Sequence, residues 1–430
     1  MSDEPILQDF NYLDYVHVQR SIQKVTLEKV RPVNQPVREH DVVFDIPKSV
    51  AFTALHQSKL VVEVAVTKAE GEACNHSAAA NPDTVSVVNN LLHSMWKSVS
   101  IEINGHTVET VNQYPYRAYV DTLTSFDQKV MDVRGVLQGW AKDTAGQMSI
   151  TTTGGENAGL NARGNMIASS KLFKMKGRLH TDIWLQGRSI PPNTSIKVTL
   201  SPASDDFVLL GAATKKYELH VRRAYLEVVR QHVPPSLTNA VLSLKSNKPL
   251  SINYRNVNIT SHNIKEGEQS ATVTLFESEK SLPDRFFVFF VRHDAYNRKI
   301  NFNPFHFEHL NVKSLTVDFN GNTLPGQTYT PDFSKKVVDE YTALLEEFDA
   351  DENNHIINIT PTEFAAGYTI FPFRLVHRTA GGECLGPKAV GSVSLEIKFA
   401  TALDKVITAV VLAEYRESLE FRAPGEISQA

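Results

Sequence analysis

The feature that most constrains this chain is a local pattern that occurs twice. Residues 98–107 read SVSIEINGHT and residues 314–323 read SLTVDFNGNT, 216 positions apart in a chain of 430. In each copy the apolar side chains alternate (Val99, Ile101, Ile103; Leu315, Val317, Phe319), and each run ends in Asn-Gly (Asn104-Gly105; Asn320-Gly321). Alternation with period two turns one face of a strand toward a core and the other toward water. Asn-Gly suits a type I′ hairpin, whose two central residues both need positive φ. A helical stripe follows each copy: Tyr116, Tyr119, Val120, Leu123 and Phe126 in the first, Val337, Val338, Tyr341, Leu344, Leu345 and Phe348 in the second. Tyr119 and Phe126 are seven apart, as are Tyr341 and Phe348, with Leu123 and Leu345 matching between them. Strand, Asn-Gly turn and short helix, repeated at half the chain length, predict a duplicated domain.

The rest of the sequence fits two β units. Leu60–Val66, Ser195–Leu200 and Val393–Phe399 alternate as half-buried strands do, and helical periodicity is scarce outside the two stripes. The runs Phe286–Val291 (FFVFFV) and Val406–Ala413 (VITAVVLA) are far short of the ~18–20 residues that span a bilayer and have the length of buried strands. The seam falls near Gln231–Leu237, where Pro234-Pro235 follows the alternating segment Tyr217–Arg230. Each half then has about 200 residues, which suits an eight-stranded jelly roll with long loops better than a minimal seven-stranded sandwich. The expected organisation is all-β: an N-terminal arm (1–25), a first jelly roll (26–232), a second (233–422) and a C-terminal tail (423–430), with a few short helices in loops. Exposed loops are expected at Ala69–Asp83, Gly139–Asn165 and Thr379–Gly391, with TTTGGENAGLNARGN (151–165) read as loop rather than element.

Composition narrows the function. A net charge of −4 and a pI near 6.4 argue against a surface built mainly to neutralise phosphate. Cys74 and Cys384 cannot make a disulfide framework and read as free thiols of a reducing compartment. The N-terminal MSDEPILQDFNYLDY lacks the apolar core of a signal peptide, so the sequons at Asn75, Asn193, Asn258 and Asn358 read as chance matches.

No catalytic pattern emerges. Gly382-Glu-Cys384-Leu-Gly386 resembles a nucleophile elbow, but Pro387 and a strand follow it where a helix is needed. His306 and His309, three apart on an expected strand, would point to opposite faces and share no metal. Asp349-Ala-Asp351-Glu-Asn353 begins like a calcium loop, yet Asn354 and Thr360 stand where glycine and glutamate belong. The glycines at 154, 155, 159 and 164 lack the Gly-Lys-Ser/Thr of a phosphate loop, and Lys171–Arg178 (KLFKMKGR) reads as a strand edge. No catalytic, cofactor-binding or metal-ligating residue is assigned. A duplicated β protein without such a constellation points to a structural or binding protein rather than an enzyme.

Several segments carry a family likeness. The run Val87-Val-Asn-Asn-Leu-Leu-His-Ser-Met-Trp96, through SVSIEINGHTV to Tyr114-Pro-Tyr-Arg-Ala-Tyr119, resembles the double jelly-roll major capsid proteins of Polinton (Maverick) elements and adintoviruses. Ser170–Trp184 resembles that family's strand after the first domain's long loop. Ile196–Leu200 with Asp206–Leu210 resembles its strand pair before the seam, and Val393–Phe399 with Thr408–Glu414 its last two strands. The likeness spans about residues 10–422.

The resemblance implies two jelly rolls side by side, a homotrimer forming a pseudo-hexagonal capsomer, and an icosahedral virion shell around DNA. Its partners would be neighbouring capsomers and penton or minor capsid proteins, with no sequence-specific nucleic-acid binding, no cofactor and no transmembrane segment. Synthesis is expected in the host cytoplasm. Loops around Ala69–Asp83, Gly139–Asn165 and Asn353–Thr379 would form outer towers and the clasp between subunits. The arm before Val25 and the tail after Phe421 would lie at the inner base, and packaged DNA would be neutralised mainly by other components. The alternatives are a minor capsid or attachment protein and a domesticated, glycan-binding jelly-roll module.

Overall fold

Both Asn-Gly pairs form the hairpins their sequences specify. Asn104 and Gly105 have φ of 48° and 83°, and Asn320 and Gly321 have φ of 50° and 79°. The two asparagines also make the same brace. Asn104 exchanges backbone hydrogen bonds with its neighbour strand by donating to Ser195 O at 3.0 Å, and its Oδ1 accepts from Ser195 N at 2.9 Å. Asn320 donates to Ser392 O at 2.9 Å and accepts from Ser392 N at 2.8 Å. The repeat is thus a repeated structural device.

The computed structural model describes residues 21–34, 40–77, 82–247, 249–278, 281–348, 357–376, 388–422 and 427–429. Sixteen strands carry the architecture there. In the first half they are β1 (Lys24–Val30), β2 (Val42–Ile46), β3 (Phe52–Lys68), β4 (Trp96–Ile103), β5 (His106–Asn112), β6 (Phe173–Gly177), β7 (Ile196–Pro202) and β8 (Tyr217–His232). In the second half they are β9 (Leu250–Ile264), β10 (Ser270–Ser278), β11 (Arg285–Arg292), β12 (Val312–Phe319), β13 (Asn322–Tyr329), β14 (Phe371–Arg374), β15 (Gly391–Phe399) and β16 (Ile407–Phe421). The sheet orders are β1-β8-β3-β6 and β2-β7-β4-β5, then β9-β16-β11-β14 and β10-β15-β12-β13. Every pairing within them is antiparallel. Adding eight to each label of the first half generates the second. Each half has the strand order of an eight-stranded jelly roll, and the fold is a double jelly roll.

Burial explains why some strands alternate and others do not. In β3, Leu60, Val62, Val64 and Val66 face the first core. In β11 the continuous run Phe286–Val291 is apolar on both faces because it serves two cores. Phe286, Val288 and Phe290 face the interior of the second sandwich, while Phe287, Phe289 and Val291 face a core shared with the first half. β16 divides likewise, Val411 and Ala413 to one side and Val410 and Leu412 to the other.

Four longer helices fill connections: α1 (Tyr114–Ser125), α2 (Ala158–Met166), α3 (Pro235–Asn247) and α4 (Asp339–Glu347). The two stripes lie on α1 and α4 except at their ends: Val337 precedes α4 and is exposed, Val338 is its extended N-terminal cap, and Phe126 and Phe348 are the residues that follow α1 and α4. Pro234-Pro235 opens α3, with Pro235 at its first position, where a missing N–H costs nothing.

Other expectations need correction. Gly139–Asn165 is not an exposed loop: Trp140, Asp143, Met148, Asn157, Leu160 and Arg163 are buried, and α2 begins there, capped by Asn157 Oδ1 accepting from Leu160 N. Asp205–Val208 is a helical turn, leaving only Leu209–Leu210 extended. The stretch Asn353–Thr379 contains core strand β14. In the tail, Ile427–Gln429 pairs with Leu419–Phe421 as an added strand. Arm residues 1–20 and most of Thr379–Gly391 lie outside the described residues.

α2 is seated against backbone. A Cβ on Gly159 would lie 2.1 Å from Lys142 O, whereas one on Gly187 would meet nothing within 4 Å. Gly159→Ala is expected to cost about 1–3 kcal/mol by forcing the helix off its seat. Thermal unfolding should show a lowered midpoint for Gly159→Ala and none for Gly187→Ala; equal midpoints would mean that α2 is not held there.

Candidate functional site

The densest concentration of buried charge lies where the two halves meet. Arg285 opens β11 directly opposite Glu414 on β16, and its Nε donates to Glu414 Oε2 at 2.8 Å. Arg255 of β9 reaches the same oxygen at 3.3 Å, and Arg117, from α1 of the first half, approaches Oε1 at 3.7 Å. Arg117 also donates to Asp121 at 2.8 Å, one helical turn on. At the other side of Arg285, Glu347 at the end of α4 accepts at 3.0 Å and also takes both arms of Arg374. The two repeated helices therefore converge on one junction from opposite halves.

Backbone and tyrosine contacts extend the seam. Glu109 of β5 accepts from Asp182 N at 2.9 Å and Ile183 N at 3.0 Å. Asp182 Oδ2 accepts from Arg255 N at 2.8 Å. Tyr254 OH lies 3.0 Å from Val108 O in the first half and 2.6 Å from Glu417 Oε2 in the second. Beside this polar line, Tyr119 stacks on Phe305 at 4.2 Å and Tyr116 on Tyr296 at 6.0 Å, while Phe307 packs on Phe289 at 4.2 Å.

A second polar line runs through residues 139–166. Arg163 and Asp143, both fully buried, pair at 2.7 Å. Asp143 also accepts from Asn157 at 2.9 Å, and its carbonyl accepts from Tyr368 OH at 2.7 Å. Lys142 donates to Asn358 O at 2.7 Å and pairs with Glu363 at 2.8 Å. Residues that read as loop from their polarity bond to one another inside the first half and, through Lys142 and Asp143, across to the second.

Electrostatics follow from burial. Burial alone would raise the Glu414 carboxyl, but Arg285, Arg255 and Arg117 outweigh it and hold the group at about 2. Glu109 shows the opposite balance: burial outweighs its two N–H donors and lifts it to about 8. His93, buried and edge-on to His180 at 4.5 Å, is held well below its ordinary value by burial and then by His180.

A cleft of ≈ 710 Å³ opens along the seam, lined by Arg255, Arg285, Arg374 and Arg416 and by Asp182, Asp284, Glu414 and Glu417. Its carboxylates are engaged by these arginines, by Tyr254 or by backbone N–H, as when Arg416 meets Asp284 at 2.6 Å. The arrangement acts as a brace that fixes one half against the other.

The residues singled out from sequence lie elsewhere. His306 and His309 are in an irregular segment, not on a strand, and both line a cleft with Glu308 and Lys405. His309 stacks on Phe333 at 4.1 Å. Among the described residues no group of three or more His, Cys, Asp or Glu is placed to hold a metal. Lys171–Arg178 does contain an edge strand, β6. Cys74 is buried, which pushes its thiol up. Cys384 and Asp349–Asn353 lie outside the described residues. Sequence reasoning missed the brace, although charges bounding the two apolar runs (Arg285 before FFVFFV, Glu414 after VITAVVLA) mark two of its members.

Comparison with known proteins gives the same architecture. No family model matches the chain. The uncharacterized protein F54H12.2 of Caenorhabditis elegans is 24% identical over 335 residues, covering 76% of this chain and 77% of that protein. Among solved structures, a chain of the Sputnik virophage superposes with a TM-score of 0.67 at 13% identity, covering 100% of this chain and 92% of that one. A PBCV-1 virus capsid chain gives 0.62 at 10% identity, over 97% and 99% of the two chains. The mavirus major capsid protein gives 0.56 at 12% identity, over 100% and 96%. This chain has their double jelly-roll fold.

Because the Glu414 carboxyl is held at about 2 rather than 4.5, it stabilises the fold above pH 4.5, and that contribution is lost as pH falls through about 2. Glu414→Gln should cost about 3 kcal/mol near neutrality, with the gap to wild type closing on acidification. Glu109 has the reverse sign, since its carboxyl is neutral when folded and ionised when unfolded between about pH 4.5 and 8. Its contribution falls as pH rises through that window. Urea unfolding midpoints of both Gln variants across pH would show these opposite trends; parallel curves for all three proteins would contradict them.

Proposed function

We propose that the chain is a major capsid protein of the Polinton (Maverick)/adintovirus type, without enzymatic activity, that assembles as a homotrimer into pseudo-hexagonal capsomers of an icosahedral, DNA-containing virion. The observation that carries this reading is the pair of jelly rolls with one strand order, braced side by side, in a chain that superposes over its whole length on the mavirus major capsid protein. Three such chains present six similar sandwiches around a three-fold axis, so one gene product can meet six neighbours with nearly equivalent edges. A rigid seam serves that purpose, because the relative setting of the two units decides whether the ring closes.

In this reading the units are residues 26–232 and 233–422, made in the host cytoplasm and placed in the virion shell beside penton or minor capsid proteins. The arm ahead of β1 lies at the base and contacts neighbouring capsomers.

Light scattering on the purified chain should give a species near 144 kDa, three times the 48.0 kDa chain, with a hexagonal outline in negative stain. A stable 48.0 kDa monomer would move the assignment to a glycan-binding module or an attachment protein. Deleting residues 1–20 should leave the trimer mass unchanged and reduce shell formation; loss of the trimer would refute the placement of the arm.

A further inference from the structure

The outer face of the β1-β8-β3-β6 sheet carries a cluster of cations that the backbone is shaped to present. β8 directs Leu219 and Val221 toward the core at its start, and Ala224, Leu226 and Val228 later on, so the inward parity changes between 221 and 224. A β-bulge makes the change: Val221 pairs with Val64, Arg223 pairs with Glu63, and Arg222 is the extra residue. Arg222 and Arg223 therefore emerge side by side on the outer face, where a regular strand would turn one of them inward.

Lys29 of β1 and Arg31 just beyond it line the same cleft, of ≈ 700 Å³, with Tyr225, and among the described residues its lining includes no carboxylate. Lys29 Nζ sits over the Tyr225 ring at 5.5 Å. Glu63 reaches Arg223 only at 3.9 Å, and Lys29, Arg31 and Arg222 form no ion pair among the described residues. Four cations against one loosely held carboxylate, Glu63 at 3.9 Å from Arg223, repel one another, and a bound anion relieves that repulsion.

The position of the cleft selects the anion. β1 enters at Lys24, paired with His232, and the cleft lies past its other end, beside the middle of β8 on the way to the sheet end at Tyr217 and Lys68. That is the end from which the long connections leave, residues 69–95, 113–172 and 203–216, while the Asn104-Gly105 turn closes the opposite end. With the arm at the base, as in the capsid reading, the cleft faces outward, away from an enclosed genome. In the second half the matching corner stays open: Ser261 and Asn263 near the end of β9 are exposed although the first half packs on that sheet.

We propose that Lys29, Arg31, Arg222 and Arg223 form an outward-facing site for a polyanionic glycan, a sulfated or carboxylated polysaccharide. Guanidinium groups hold sulfate or carboxylate through paired hydrogen bonds, and adjacent cations match a chain with repeating charges. Tyr225 offers a ring to a sugar face. Only the outward direction rests on the capsid reading; the cation cluster stands without it.

The test is fluorescence anisotropy of the full chain with a labelled heparin-derived oligosaccharide, beside a charge-matched oligodeoxynucleotide and a neutral dextran fragment. Wild type should bind the sulfated probe best and release it with added salt, and Arg222→Glu with Arg223→Glu should weaken binding at least ~10-fold at unchanged thermal midpoint and oligomer mass. The site is overturned by equal affinity in wild type and variant, by tighter binding of the oligonucleotide, or by a change of oligomer mass on substitution, which would make the face a contact between copies. Wild type that binds the probe yet stays monomeric would support the cleft while removing the capsomer reading. A trimer that binds no probe would do the reverse.

Discussion

The sheet β9-β16-β11-β14 has to be buried on both faces, and much of the remaining structure follows from that. A strand such as FFVFFV cannot show either face to water, so one side closes its own sandwich and the other needs a neighbour. The first half supplies it with α1, β5 and the turn at Asp182. Once that neighbour is in place, Glu414 and Arg285 are buried at the floor of the cleft, and charge left there has to be paired. Three arginines around one carboxylate are the consequence, together with Glu347 and Arg374 on the flank. The apolar contact provides the driving force, while the ion network specifies one setting of the two halves, since removing a partner strands a charge in low dielectric.

Much of this was legible in the sequence because it is local. The Asn-Gly hairpins, the alternation of β3, β7 and β15 and the short apolar runs report period and turn chemistry, which a strand reveals without its neighbours. The duplication was legible for the same reason, through two hairpins and two helices. The misread part was Gly139–Asn165, where glycine, asparagine and threonine resemble surface loop by composition. Asn157 is a helix cap, Gly159 permits contact with the 141–142 backbone, and Arg163 finds Asp143 twenty residues away. Composition could not tell a polar residue bonded to water from one bonded inside the fold.

The junction itself was hidden by sequence distance. Arg117 and Glu414 lie in different halves, and neither has a local pattern that announces the other. The two stripes were correctly read as helices packed on a core, yet their meeting on one seam follows from topology alone. The outer face of the first half's sheet shows a related limit. Arg222-Arg223 is an unremarkable basic pair until the bulge shows that the strand gave up regular pairing to present both.

The two-faced sheet also sets an order of manufacture. A chain leaves the ribosome N-terminus first, and the first jelly roll has its strands complete by His232, before any part of β9 exists. When Phe287, Phe289 and Leu412 emerge, the surface that must cover them is already formed and tethered within the same molecule. A chain with its halves exchanged would present that sticky face first, with nothing beside it but other nascent chains. The linear order of the two halves thus protects the protein during its own synthesis.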